Sequence, residues 1–239
     1  MKQYRPAIVE RNFLRLLRMG AFAGTERIEP MSEWKWHKLF RLSTQHGVTP
    51  WVADGIQRGE SDFFMTMSPS LRQQFYDDNT DRIEEFSSLQ LTNPFLNRKL
   101  QKWGEEVGHD NVTFELLLNI VAIARNIIKQ GINLRQLIIL GTYLHSTHDP
   151  IDYAQLRQWI AELGMNRMAS LEASLLVLLF HFDADRIQFT EELDDKHASQ
   201  LLADFFLSQR SVSRLRYFPR ESFLNYAAEM FKAVKDIEE

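Results

Sequence analysis

Residues that break helices are scarce in this chain, and this scarcity limits its fold more than any other feature. Its 239 residues include 10 Gly and 7 Pro, and 17 of 239 is about 7% against an average of about 12%. Apolar residues recur at helical spacing, and no run alternates between apolar and polar residues as strands do. We therefore predict an all-α fold, with about ten helices in an irregular bundle.

Capping residues and the few breakers predict the helix boundaries. The predicted helices cover residues 6–20, 32–46, 50–58, 69–92, 94–106, 113–129, 133–147, 152–163, 166–182, 194–208 and 219–236. Residues 59–68 and 105–112 are the best candidates for loops. We expect a single helical domain over 1–239. A weak boundary at 105–112 would divide it into two packed lobes, an N-terminal arm 1–106 and a C-terminal arm 112–239.

Charge and cysteine content exclude several classes of function. Lys and Arg total 28 and Asp and Glu total 32, which gives a net charge of −4 and disfavours a general nucleic-acid binder. Cysteine is absent, so disulfides, thiolate metal sites and cysteine nucleophiles are excluded. Arg11, Arg15 and Arg18 interrupt any early apolar run, so no signal peptide is predicted. No apolar stretch is long enough to span a membrane, and we expect a cytoplasmic protein.

Two short clusters could hold a metal ion. His145 and His148 are spaced for one helix end and could bind zinc with a nearby carboxylate. A simpler explanation for the two histidines is that a His side chain complements the dipole at a helix C-terminus. Asp183 and Asp185 could hold Mg²⁺, although a polar exit from a helix explains them as well. The sequence favours the local explanations, and we expect no metal, cofactor or catalytic residue.

Basic residues recur near the C-terminal end and could grip phosphates. The candidate basic patch is interleaved with two aromatic residues that could stack on bases. It consists of Arg210, Arg214, Arg216 and Arg220. Pairing with neighbouring carboxylates is the alternative, and it is favoured by the acidic net charge. The arginine stripe Arg11, Arg15 and Arg18 is similarly predicted to be a solvated face, with an acidic docking partner as the alternative.

Two groups of motifs resemble a specific family. The first is a Leu-Leu-Arg helix near the N-terminus followed by a His-Gly-Val-x-Pro turn, with His46, Gly47 and Pro50 at its defining positions. The second is a Gly-Ile-x-Leu-Arg-Gln region, with Gly131, Leu134, Arg135 and Gln136 at its defining positions. In this order, across most of residues 6–182, they resemble a bacterial nucleotidyltransferase family with helical arms.

The resemblance implies a catalytic core that this sequence lacks. That core is an α/β unit between the arms, with a Gly-Ser or Gly-Gly turn and an Asp-x-Asp or Asp-x-Glu strand that holds Mg²⁺. The chain has neither dipeptide, and its only Asp-x-Asp, at Asp183 and Asp185, lies beyond the second arm. Residues 76–92, where the core would sit, are too few for a domain. Ala122 and Asn126 also stand where the family often has His.

The sequence therefore favours a non-catalytic, degenerate relative that binds a protein partner in an unidentified pathway. The first alternative is a Mg²⁺-dependent nucleotidyltransferase or nucleotide-binding protein with an unrecognised site. The second is a nucleic-acid accessory protein. Trp34, Trp36 and Trp51 are expected in the core by default, but one could face outward where the missing domain once packed. The sequence does not indicate the oligomeric state.

Overall fold

The computed structural model describes residues 6–78, 93–108, 111–129, 131–146 and 150–210. Within these ranges every regular element is a helix, which confirms the predicted all-α fold. The α-helices are α1 Ile8–Phe22, α2 Glu33–Gln45, α3 Thr49–Arg58, α4 Pro69–Tyr76, α5 Pro94–Val107, α6 Val112–Lys129, α7 Leu134–Ser146, α8 Tyr153–Glu162, α9 Asn166–Phe180 and α10 Asp195–Arg210. A 3₁₀ turn, Ala184–Arg186, precedes α10.

Two of the predicted capping residues begin helices in the structure. Ser68 caps α4 by accepting a hydrogen bond from the Leu71 amide, and Asp152 caps α8 through Gln155. The predicted helix beginning at residue 69 is shorter than expected, because α4 ends at Tyr76. Predicted helical residues 79–92 and 219–236 lie outside the described residues.

The chain forms two compact units that are discontinuous in sequence. The first contains α1 to α4, Leu134–His145 of α7 and Leu179–His181 at the end of α9. The second contains α5, α6, α8, α10 and the rest of α9. This grouping differs from a division at 105–112, since α5 belongs with α6 and α7 belongs with the N-terminal helices.

The first unit is built on an unusually close crossing of α1 and α3. A Cβ atom added to Gly20 would lie 1.8 Å from the carbonyl oxygen of Trp51, and one added to Gly55 would lie 2.1 Å from that of Leu16. The backbones therefore touch where the two glycines lie. Around them, Phe13 and other apolar side chains are fully buried. This core fixes the positions of α2 and the loop that follows α3.

The second unit has an aromatic core between α5, α6 and α8. The Trp103 ring stacks on Trp159 with centroids 5.6 Å apart, and Phe114 meets Trp159 edge-on at 6.1 Å. The Thr113 hydroxyl accepts a hydrogen bond of 2.9 Å from the Asp152 amide. Across the described residues of both units, no helix combines the length and apolar character needed to cross a membrane.

Candidate functional site

The three tryptophans of the first unit divide into two buried rings and one exposed ring. Trp36 and Trp51 are buried in the core, whereas 67% of Trp34 is exposed. The default prediction of a core position is therefore confirmed for Trp36 and Trp51 and is wrong for Trp34, which faces outward as the alternative allowed. A tryptophan this exposed is unusual, because burying a large aromatic side chain stabilises the folded state by about 2–3 kcal/mol.

The loop between α3 and α4 adds two further exposed aromatic side chains. Phe63 is 85% exposed and Phe64 40% exposed, and their rings meet edge-on at 5.2 Å. Together with Trp34 they form what we call the aromatic surface. The sequence identified residues 59–68 as a loop but did not single out Phe63 and Phe64. Two adjacent phenylalanines in a loop otherwise rich in polar residues were the available signal.

Hydrogen bonds connect the loop to the start of α2. The Glu33 carboxylate accepts a hydrogen bond of 3.2 Å from the Ser68 amide and another from the Ser68 hydroxyl. Trp34 adjoins Glu33, and Phe64 is four residues from Ser68, a distance of at most about 14 Å along an extended chain. The Glu33–Ser68 hydrogen bonds therefore tie the loop that carries Phe63 and Phe64 to the start of α2, which carries Trp34.

Asp62 holds the loop in a defined conformation. Its carboxylate accepts hydrogen bonds from the Phe64 amide at 2.9 Å and the Ile28 amide at 3.0 Å. These backbone donors lower the pKa of Asp62, with a smaller contribution from the charge of Arg27. The exposed phenylalanines are thus displayed by an anchored loop. Anchoring reduces the entropy that a binding partner must remove.

The arginine stripe of α1 is neutralised within the first unit. Arg11 pairs with Glu29 at 2.6 Å, Arg15 bonds the same carboxylate at 2.7 Å, and Arg18 is paired with Glu26. The Arg11 hydrogen bond and the charges of Arg11 and Arg15 lower the pKa of Glu29 to about 2. Arg18 also donates to the Leu179 carbonyl at 2.9 Å. Because these cations are already paired, the stripe is a poor docking site for an acidic partner.

A cleft of about 410 Å³ opens beside this ion-pair network. Its lining includes two acidic residues, Glu26 and Asp62, together with Arg58. Glu26 is held by Arg18, and Asp62 by backbone amides. The cleft therefore offers no pair of uncommitted carboxylates of the kind that Mg²⁺-nucleotide chemistry uses.

The candidate metal ligands have local roles where they are described. The Asp183 carboxylate accepts a hydrogen bond of 3.1 Å from the Asp185 amide and caps the 3₁₀ turn, and both residues are exposed. His145 is exposed in the last turn of α7, and His148 lies outside the described residues. In the described ranges, no group of three or more His, Asp or Glu side chains could hold a metal ion.

Only one of the four arginines of the candidate basic patch belongs to a described helix. Arg210 is the last residue of α10, with its side chain undescribed. Arg214, Arg216 and Arg220 lie outside the described residues. The basic patch stays a prediction.

The His-Gly-Val-x-Pro motif forms the connection between α2 and α3. Gly47 adopts a left-handed conformation with φ 61°, after His46 at the end of α2. The Gly47 amide bonds Thr44 at 3.0 Å and the Val48 amide bonds Ser43 at 2.9 Å, as in a Schellman motif. Pro50 occupies the first turn of α3. These residues therefore have a folding role at the junction of α2 and α3.

The second family motif also has a folding role, at the junction of α6 and α7. Gly131 ends α6 with φ 93°, and its amide bonds the Asn126 carbonyl at 3.0 Å. In the first turn of α7, Leu134 and Gln136 are buried and Arg135 is half-buried. The side chains of this motif serve to start and pack α7.

One buried acid was not identified from the sequence. Glu172 on α9 is fully buried, and neither carboxylate oxygen has a hydrogen-bond partner. Burial raises its pKa well above the ordinary value, so a neutral carboxyl is favoured. Its position inside an apolar helix sequence gave no indication of the missing partner.

Comparisons with protein-family models, with curated proteins and with solved structures found no match to this chain. The family resemblance therefore stands on the motifs alone. The structural feature that most directly suggests a function is the aromatic surface.

Proposed function

We propose that this chain binds another protein through its aromatic surface and has no catalytic activity of its own. The observation that carries the proposal is the exposure of Trp34 and Phe63 on segments anchored to each other by Glu33 and Ser68. Tryptophan and other aromatic residues are enriched in the energetic centres of protein interfaces. Exposed aromatic side chains on one surface are typical of an interaction site.

The family resemblance supplies the evolutionary part of the proposal. A nucleotidyltransferase with helical arms that lost its α/β core would keep its helices and have no use for a metal site. The order of the motifs and the missing Gly-Ser, Gly-Gly and strand Asp-x-Asp signals support this history. A surface that once packed against the core would be left apolar. A protein partner then replaces the core as the contact for that surface.

The proposal is tested by comparing captured proteins between matched variants. The binding variant is Trp34→Ala with Phe63→Ser. The control is Phe95→Ser, which removes a 65% exposed aromatic residue from the second unit. Each tagged protein is used to capture partners from an extract of its source cells. We expect at least one protein to be retained by the native chain and by the control but lost with the binding variant.

Equal capture by all three proteins would contradict the proposal, provided that their thermal unfolding curves agree. Those curves also address the enzymatic alternative. A Mg²⁺-nucleotide at about 100 times its dissociation constant stabilises a protein by about 2.7 kcal/mol. We expect no shift with any of the common nucleoside triphosphates. A shift that requires Mg²⁺ would favour the nucleotidyltransferase alternative.

A further inference from the structure

The exposed face of α2 combines the aromatic surface with positive charge. Trp34, Lys38 and Arg41 are exposed and follow one another at helical spacings of four and three residues, so they lie on one stripe. The Lys38 ammonium lies 5.8 Å from the centroid of the Trp34 ring, within the range of a cation–π contact. The stripe spans about 10 Å along the helix axis.

Each carboxylate around this face already has a partner. This face is formed by residues 26–41 and 58–72, which contain most of α2, the loop between α3 and α4 and their flanks. Glu33 is bonded by Ser68, and Glu60 pairs with Arg72 at 2.6 Å. The others, described above, are Glu26, Glu29 and Asp62.

Several cations in the same segments have no such partner. Among the described residues, the side chains of Lys35, Arg41 and Arg58 make no hydrogen bond or ion pair, and the Lys38 ammonium has a cation–π contact with the Trp34 ring. Residues 26–41 and 58–72 contain six Lys or Arg and five Asp or Glu, a formal charge of +1, although the whole chain carries −4. Charge complementarity guides which partners approach such a surface.

From this arrangement we infer that the aromatic surface accepts an acidic peptide segment of its protein partner. The inference rests on the proposed function and identifies the chemistry of the partner. An apolar side chain of the segment packs on Trp34 and Phe63. Carboxylates about one helical turn away meet Lys38 and Arg41. Single-stranded nucleic acid also combines stacking with negative charge, but the net charge of −4 opposes a long polyanion more than a short acidic peptide.

The test uses the full-length chain and a random peptide library displayed on phage. Selection is carried out on the native protein at low salt. The dissociation constants of enriched peptides are then measured by fluorescence anisotropy with three variants. Lys38→Glu with Arg41→Glu reverses the charge of the stripe, and Trp34→Ala with Phe63→Ser removes the rings. Arg98→Glu is the control, because Arg98 is an exposed cation over the exposed Phe95 ring of the second unit.

We expect enriched peptides to combine Asp or Glu with an aromatic or aliphatic residue. Charge reversal on α2 should weaken their binding about tenfold or more, and high salt should weaken it as well. Replacing the peptide acids by Asn and Gln should produce a similar loss. The Arg98→Glu control should bind like the native protein.

Other outcomes separate the inference from the proposed function. Neutral or basic peptides that need Trp34 and Phe63 would overturn the inference while leaving a protein-binding surface in place. A selection that yields no peptide dependent on those two rings would contradict both. Tighter binding of an oligothymidylate that depends on Lys38, Arg41 and Trp34 would assign the surface to nucleic acid and overturn the inference.

Discussion

Two residues at helix ends show how backbone conformation constrains single positions. Ala23 ends α1 in the left-handed region with φ 55°, and Gly47 ends α2 there with φ 61°. This region costs a residue with a Cβ about 1 kcal/mol relative to glycine. Of these two positions, glycine is used at residue 47 and would be preferred at residue 23.

Exchanging the residue type at these positions should move stability in opposite directions. Ala23→Gly should raise the free energy of unfolding by about 0.5–1 kcal/mol, and Gly47→Ala should lower it by about 1 kcal/mol. Urea unfolding of the two variants measures both changes. Destabilisation by Ala23→Gly would show that the αL conformation does not limit stability at that helix end.

Glu172 is the second feature at the residue scale. Its folded-state pKa is raised by burial, so the folded state binds a proton that the unfolded state releases above about pH 4.5. The protonated Glu172 therefore contributes fully to the free energy of unfolding below the unfolded-state pKa. This contribution is lost as the pH rises towards the folded-state pKa.

Glu172→Gln should remove this part of the pH dependence. The variant should gain stability relative to the native chain between pH 4 and pH 7, by about 1.4 kcal/mol for each unit by which the pKa is raised. Urea unfolding at several pH values measures the difference, with the exposed Glu105→Gln as the control. A difference that stays constant with pH would mean that Glu172 is charged in the folded protein.

At the scale of elements, the crossing of α1 and α3 is the most demanding contact. Gly55→Ala improves helix propensity by up to about 1 kcal/mol. The added methyl group, however, would lie 2.1 Å from the Leu16 carbonyl oxygen. We therefore expect a net loss of about 1–3 kcal/mol in the free energy of unfolding, measured by denaturant unfolding.

Gln57→Ala tests the exposed side of the same helix as a control. It should change stability by no more than about 0.5 kcal/mol. A Gly55→Ala variant as stable as the native chain would show that α1 and α3 can separate without cost. The position of α2 and the anchored loop would then depend on other contacts.

Local signals explain which elements could be predicted from the sequence. Ser68, Gly47 and Pro50 act within one or two turns of helix, so the boundaries of α2, α3 and the start of α4 were accessible. The partners of the arginine stripe were not, although Glu26 and Glu29 are close in sequence. Whether a loop folds back on the preceding helix depends on its backbone path, which periodicity does not report.

At the scale of the whole molecule, the grouping of helices was not predictable. The first unit includes Leu134–His145, which follow α5 and α6 of the second unit in sequence. A change of composition marks a linker, but it cannot show that a later helix joins an earlier unit. For the same reason the sequence could suggest that one tryptophan faces outward without showing that the start of α2 is hydrogen-bonded to the loop that carries Phe63.

The proposed function depends on this tertiary arrangement more than on any motif. The family motifs end and start helices, and the candidate metal ligands that are described cap turns or lie exposed at helix ends. The aromatic surface has no comparable folding role for its exposed rings. Selection for binding gives a physical reason to retain them, since exposed aromatic clusters otherwise favour aggregation.

Photo-crosslinking in source cells tests the central claim most directly. A benzophenone amino acid replaces Phe63 in one protein and Phe95 in another, because both rings are exposed and lie in different units. The account predicts discrete crosslinked proteins from position 63, lost when Trp34→Ala is added, and none of them from position 95. The same crosslinks from both positions, or none from position 63, would contradict a protein-binding function for the aromatic surface.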